Sequence, residues 1–289
     1  MRYAIITNPV SGSMTVDQKR SELAKAAEVL DAEIHGLDTV TLDDLGQCAR
    51  ELALRCDVLV VAGGDGTLSD IINFVDTTRT AIAYLPLGTG NAMSHALQYK
   101  GNLVDIAKRI RDGEIHEYDV ISCDEKKRGF LASIGIDGTI MRLRDEYLAQ
   151  GKTGFKTYFR AAFKAYFREY KRPIATMIRV DETTFKVQNL LSLMVVKHPY
   201  YGFGMYVVPR ARLDDRQLHV LSINSGLFMC LIGVATSFSI GNRLGEYRTG
   251  QRVAVRLDRP LVLQIDGNNA WEADAFTFRV LLNAVRFKC

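Results

Sequence analysis

The stretch VVAGGDGTLSD, residues 60–70, decides the fold. A run of apolar β-formers stops at two glycines, and a third glycine follows the carboxylate of Asp65. Such a run, bounded by glycine, reads as a strand, and the glycines suit a place where a ligand must approach bare backbone. Working outward, YAIITN (3–8) and AIAYLPLG (81–88) read as further strands, residues 17–32 as an amphipathic helix, and residues 68–74 as the start of another. Strand and helix alternating in this way predict a parallel sheet covered by helices, with ligands at the carboxyl ends of the strands.

Three motifs fall at those ends: NPVSG (8–12), GGDGT (63–67) and PLGTGN (86–91). Each offers glycines for close approach, backbone N–H groups, and a hydroxyl from Ser11, Thr67 or Thr89, the equipment a polyphosphate requires. One such loop is no more than a tight bend; three on one sheet edge point to a ligand. None matches GxxxxGK[ST], and no GxGxxG opens a helix, so neither a P-loop nor a dinucleotide fingerprint fits. Asp65 would repel phosphate unless it binds Mg²⁺, orients an acceptor hydroxyl or caps a helix, and all three readings stay open.

From about residue 118 the texture changes to short strand-like segments, among them YDVISCD, RGFLASIGIDG, FKVQNLLSLMVVK and LVLQIDG. These predict an antiparallel sandwich or barrel-like second domain, interrupted by one helix over roughly 154–171. A chain of 289 residues is also long for a single core. The boundary is placed near residue 119.

Apolar residues make up 47% and charged residues 24%, an ordinary soluble globular composition, and the net charge of +4 argues nothing by its size. Five cysteines without CxxC spacing exclude a metal knuckle or a disulfide framework and read as reduced thiols in a cytoplasmic protein. The N-terminus has too short an apolar part for a signal peptide, and the most apolar later window, 225–241, falls short of the ~20 residues of a membrane span.

Taken together, the three motifs resemble those of the diacylglycerol kinase catalytic family, which includes bacterial lipid kinases, sphingosine kinases and ceramide kinases. GGDGT is shared with NAD kinases; its combination with the other two is specific, and the resemblance covers essentially the whole chain. It implies an α/β nucleotide-binding domain over 1–119, a β-sandwich domain over 120–279 that takes the lipid, and a last segment, about 280–289, returning to the first. It also implies ATP and Mg²⁺. Carried over by residue, Asn8, Pro9, Ser11, Gly12, Gly63, Gly64, Asp65, Gly66, Thr67, Gly88, Thr89 and Asn91 would meet the nucleotide, with Thr39 near a further contact, about one residue out of the family's spacing.

Several positions depart from the family. YYGFGMYVVPRARLDDRQLHVL (200–221) resembles a segment that holds a structural Mg²⁺, here through Asp215 and main-chain oxygens near Arg212 and Gln217, but Arg216 stands in place of glycine. A plain surface hairpin turn is the other reading. In LQIDGNNAWEAD (263–274), Asp266 and Gly267 are followed by Asn268 where the family has the glutamate that serves as general base. An amide is no base at neutral pH, although phosphoryl transfer depends mainly on positioning and charge stabilisation. Asp65, Asp266 or Glu272 could take over, or activity could be lost. Ser69 and Asp70 replace Asn-Glu, and Lys197 and His198 in VKHPYYG replace Asn-Gly; His198 is either an acceptor-site residue or structural.

GFKTYFRAAFKAYFREYKR (154–172) interleaves aromatics with Lys156, Arg160, Lys164, Arg168, Lys171 and Arg172. At helical spacing the aromatics share a broad face bordered by cations, which fits either an anionic membrane interface or a helix packed on its own domain. No nucleic-acid module is visible, so nucleic acid is not expected as a partner. The expected activity is ATP-dependent phosphorylation of a lipid hydroxyl, by a cytoplasmic protein peripherally associated with the membrane. An NAD kinase, a non-catalytic lipid- or nucleotide-binding relative, and a soluble small-molecule kinase are the alternatives. Whether the chain acts as a homodimer stays open.

Overall fold

Val58–Gly63 is buried at every residue, as the central strand of a parallel sheet must be. It is β3 in a set with β1 (Tyr3–Thr7), β2 (Ile34–His35) and β4 (Ala81–Pro86), in spatial order β4, β3, β1, β2, all parallel. Val60 lies opposite both Ile5 and Ala83, which fixes the register across the centre. The computed structural model describes the chain except Ser13, Thr153, Lys171 and Arg172, and it leaves the side chain of Phe155 undescribed.

Helices α1 (Val16–Leu30), α2 (Leu42–Ala53), α3 (Asp65–Phe74), α4 (Ala92–Ala96) and α5 (Leu103–Asp112) connect these strands. Capping boxes start three of them: Thr15 with Gln18, Thr41 with Asp44, and Asn102 with Asp105. Each satisfies amide donors that an open helix end would leave bare. Leu23 and Leu30 of α1 and Ile106 and Ile110 of α5 close over Ile5, Val60 and Ala83. One expectation is corrected here: the helix expected from residue 68 begins at Asp65, with Gly64 as its N-cap, so GGDGT is a strand end and a first helical turn rather than an open loop.

The chain divides into two units. The first comprises Met1–Val120, Gly202–Gly204 and Leu282–Cys289. The terminal segment is tied in by Phe287 opposite Ile82, by the Thr77 hydroxyl donating to the Ala284 carbonyl (2.5 Å), and by the Asn283 amide donating to Asp119 (3.1 Å).

The second unit comprises Ile121–Tyr201 and Met205–Leu281. After β5 (Ile115–Cys123), which enters it, come β6 (Lys127–Gly129), β7 (Leu131–Gly135), α6 (Ile136–Leu148), α7 (Phe155–Lys164), β8 (Thr176–Val180), β9 (Thr183–Val187) and β10 (Ser192–Val196). Then follow β11 (Tyr200–Tyr201), β12 (Met205–Tyr206), β13 (Leu218–Ile223), α8 (Leu227–Ser237), β14 (Glu246–Gly250), β15 (Arg252–Ile265) and β16 (Asn268–Lys288). Strands β14, β13, β10, β7 and β15 pair antiparallel in that order. β15 makes the sandwich possible. Val253–Leu257 pairs with β8 and Leu263–Ile265 with β7, while the register against β16 shifts after Arg256, so one long strand joins both partners around a core that includes Ile178, Leu193, Val255, Leu263 and Phe276.

Among the described residues the expected single helix in this unit is corrected to three α-helices, the second continued by a π-helical turn over Ala165–Glu169. RGFLASIGIDG is strand only as far as Gly135, where the backbone turns (φ +114°) and Ile136 starts α6. The apolar window 225–241 holds α8. Among the described residues no helix is long and apolar enough to cross a membrane.

Candidate active site

Gly63 ends β3 with its carbonyl pointing at the next strand's exit, where it accepts hydrogen bonds from the amides of Leu87 (2.9 Å) and Gly88 (3.1 Å). That joins GGDGT to PLGTGN. The joint is too close for any side chain: a Cβ on Gly88 would lie 2.4 Å from the Gly64 Cα, and one on Gly63 would lie 2.7 Å from the Cβ of buried Thr67. Gly12, in the left-handed region at φ +72°, faces the Leu87 carbonyl, which an added Cβ would meet at 3.5 Å. The three motifs therefore meet at the carboxyl ends of β1, β3 and β4.

Asp65 accepts hydrogen bonds from the amides of Ala92 (2.8 Å) and Met93 (2.9 Å), the first residues of α4. The helix it caps is thus α4, 27 residues on, while it forms the first turn of α3. Asp65 is half-buried, and this burial pushes its carboxyl pKa up against the downward pull of the two amides. Each oxygen, having accepted one amide, keeps a lone pair for a metal or hydroxyl. Asn91 shapes the approach to α4: its backbone is left-handed (φ +46°), its side-chain amide donates to the Gly88 carbonyl (2.7 Å), and its Oδ1 accepts from the Tyr84 hydroxyl (3.1 Å). Thr89 is exposed.

In NPVSG the Asn8 side chain accepts the Val10 amide (3.0 Å), and the Ser11 hydroxyl donates to the Asn8 carbonyl (3.0 Å). Lys19, absent from the sequence-based site, gathers this turn: its buried ammonium donates to the carbonyls of Asn8 (2.6 Å) and Pro9 (2.9 Å). Burial lowers its pKa. Thr39 donates its hydroxyl to the Gly36 carbonyl (2.7 Å), closing the turn after β2. Gly202–Gly204 also joins this set: the Phe203 amide donates to the Gly90 carbonyl (2.9 Å), and Gly204 leaves room for the His95 ring, which a Cβ would meet at 2.9 Å. Glycine content alone marked that segment; nothing local in the sequence says where it packs.

The second unit holds the remaining candidates. Asp266 and Gly267, at φ +46° and +87°, form the two-residue turn of a hairpin in which Ile265 pairs with Asn268. The Asp266 carboxylate is buried and accepts the amides of Phe130 (3.1 Å) and Leu131 (2.8 Å). These amides tie the carboxylate to the start of β7 and fix the hairpin turn. Asn268 follows in the hairpin and is half-buried; Glu272 is exposed. His198 is buried, and burial lowers its pKa to about 4, so it is a neutral ring packed beside Phe130. Asp137, first-turn residue of α6, accepts the Ser192 hydroxyl at 2.5 Å, and burial raises its pKa to about 6.

The expected Mg²⁺ site does not fit a metal. Lys197, fully buried, donates from its ammonium to Asp215 (2.8 Å) and to the Gln217 carbonyl (2.7 Å), the oxygens the ion would need. His219 shares the other Asp215 oxygen at 2.7 Å, and the Arg212 amide points at that same ring (3.4 Å). Burial pushes the Asp215 carboxyl up, but Lys197 and His219 outweigh it and hold it below its usual range. Among the described residues no group of three or more His, Cys, Asp or Glu side chains is placed to hold a metal ion.

The aromatic helix divides its rings by type. Tyr170 is buried and Tyr158 and Tyr166 pack on the core, whereas Phe159, Phe163 and Phe167 are 57%, 60% and 52% exposed at successive i+4 positions. Lys171 and Arg172, expected at its border, lie outside the described residues. On α8, Phe228 is 74% exposed and Leu231, Ile232 and Val234 are also turned to solvent.

Comparison with known proteins matches residues 2–123 to the diacylglycerol kinase catalytic domain and residues 131–287 to the YegS C-terminal NAD kinase beta sandwich-like domain. Diacylglycerol kinases of Staphylococcus saprophyticus and Bacillus subtilis are each 24% identical over 92% of this chain, covering 88% and 89% of their own lengths. Among solved structures, a diacylglycerol kinase from Bacillus anthracis superposes with a TM-score of 0.72 at 17% identity, over 99% of this chain and 96% of its own. An NAD kinase from Archaeoglobus fulgidus in complex with ATP superposes at 0.54 and 14% identity, over 100% and 94%. These two structures are similar to the chain in fold.

Proposed function

Because the chain belongs to the diacylglycerol kinase catalytic family, with the YegS-type sandwich as its second domain, we propose that it transfers the γ-phosphate of ATP to a hydroxyl of diacylglycerol, ceramide or a related lipid. The observation that carries this reading is the convergence of three glycine motifs on Gly63, where bare backbone and the start of α3 favour phosphate oxygens. Asp65, whose two carboxylate oxygens each accept one amide of α4, would hold the Mg²⁺ that accompanies the nucleotide, which would supply charge neutralisation of the phosphates, or would orient the acceptor hydroxyl. In the reaction the lipid oxygen bonds to the γ-phosphorus, the bond to the ADP oxygen breaks, and the hydroxyl proton leaves to a base.

The acceptor comes from a bilayer. The exposed Phe159, Phe163 and Phe167, flanked by Lys156, Arg160, Lys164 and Arg168, and the uncharged exposed face of α8 support peripheral docking on an anionic membrane surface. On this reading the protein works at the cytoplasmic face of a membrane.

Asn268 favours a second reading, a relative that binds nucleotide and lipid but turns over poorly. Labelled phosphate transfer from ATP with Mg²⁺ to a panel of lipids in mixed micelles, with NAD as a further acceptor, separates the cases. Labelling of one lipid class supports the kinase. Nucleotide binding without transfer, restored by Asn268→Glu, supports the binding relative, and labelling of NAD alone overturns both.

A further inference from the structure

Lys197 follows β10, and its backbone is fixed by its amide donating to the Phe130 carbonyl (2.8 Å). Its side chain is wholly buried, and an ammonium there needs strong acceptors. It finds two in the turn before β13: Asp215 Oδ1 at 2.8 Å and the Gln217 carbonyl at 2.7 Å. The Gln217 amide also donates to Asp215 (3.2 Å), and His219, which shares a 2.7 Å hydrogen bond with the Tyr247 hydroxyl, takes the other carboxylate oxygen. The carboxylate is therefore fully used by one cation and two neutral groups. A divalent ion on the same two oxygens would sit against a buried positive charge. Arg216 takes the left-handed conformation (φ +63°), the one glycine adopts most readily, and the turn's cation comes from within the chain.

We propose that the Lys197 ammonium is the built-in cation of the 212–217 turn, taking the place of a divalent metal ion, so that this chain folds without metal at that position. One positive charge balances the one carboxylate, and the Gln217 carbonyl completes the coordination. The proposal concerns folding alone and is tested without nucleotide, so its outcome is independent of the kinase reading.

The test is thermal unfolding of the nucleotide-free protein in EDTA and in millimolar Mg²⁺, Ca²⁺ or Mn²⁺. The wild-type melting temperature is expected to be the same in all of them. Lys197→Asn, which removes the ammonium, is expected to melt about 10 °C lower in EDTA, the scale of a broken buried ion pair. It should then regain melting temperature, saturably, with a divalent ion, and Asp215→Asn on top of it should abolish that regain. A saturable rise for wild type that Asp215→Asn removes would overturn the proposal, as would a folded Lys197→Asn protein that ignores divalent ions. Should Lys197→Asn fail to fold, Mn²⁺ binding to wild type by electron paramagnetic resonance decides: a bound ion lost with Asp215→Asn overturns the proposal, and no such site upholds it.

Discussion

Gly88 stacks on Gly64 so closely that a methyl group on Gly88 would come within 2.4 Å of the Gly64 Cα and 2.8 Å of Asn91 Oδ1. Both obstacles are held in place, so the loop itself must move. Gly88→Ala is expected to lower the melting temperature by several degrees, since overpacking costs about 1–3 kcal/mol, and to raise the KM for ATP at least about tenfold. Gly226, whose Cβ would meet nothing within 4 Å, is the control, and Gly226→Ala should change neither. Thermal melts and ATP titrations of both variants check this.

Asp65→Asn tests the division of labour in the carboxylate that accepts the Ala92 and Met93 amides. The amide keeps one acceptor and sets an NH₂ against a backbone N–H, a cost of about 1–3 kcal/mol. We expect a melting temperature lower by about 3–10 °C and phosphate transfer reduced more than about 100-fold at temperatures where the variant is folded. Full activity in the folded variant would restrict Asp65 to holding α4.

Asp137 and His198 predict opposing responses to pH. Burial raises Asp137 from 3.8 to about 6, so the folded form keeps its proton longer than the unfolded form and stability falls as pH rises across that window. Burial lowers His198 from 6.5 to about 4, so the folded form binds fewer protons and stability rises across nearly the same window. Each contribution is on the order of 2–3 kcal/mol, and in wild type they largely cancel. Relative to wild type, Asp137→Asn should become progressively more stable from pH 4 to 6, and His198→Gln progressively less stable from pH 4 to 6.5. Denaturant titrations across pH 4–7 read both slopes; parallel profiles for all three proteins would contradict the assignment.

Phe163 and Phe228, 60% and 74% exposed on α7 and α8, predict the strength of membrane docking. Burying a phenylalanine contributes about 1.5–3 kcal/mol, so Phe163→Ser and Phe228→Ser should each weaken sedimentation with anionic vesicles about tenfold or more. The melting temperature should stay within a degree or so, because surface substitutions cost little. Unchanged vesicle binding in both would favour a small-molecule acceptor in water.

The sequence by itself determined the parallel sheet and the strand ends that carry its glycine motifs. Strand and helix periodicities are local, so the apolar run ending at Gly63 and its counterparts ending at Thr7 and Pro86 could be read in order, and the glycine motifs with them. Helix starts at Asp65 and Ile136 were less legible, because both follow a strand with no polar cap to announce them. Only the tertiary structure decided which side chains meet. That Asp65 reaches the amides of α4, that Lys19 gathers the NPVSG turn, that Gly202–Gly204 packs on Gly90 and His95, and that Lys197 takes up Asp215 all depend on segments brought together by packing. Buried charge must find its partner through space, and sequence spacing carries no record of that distance.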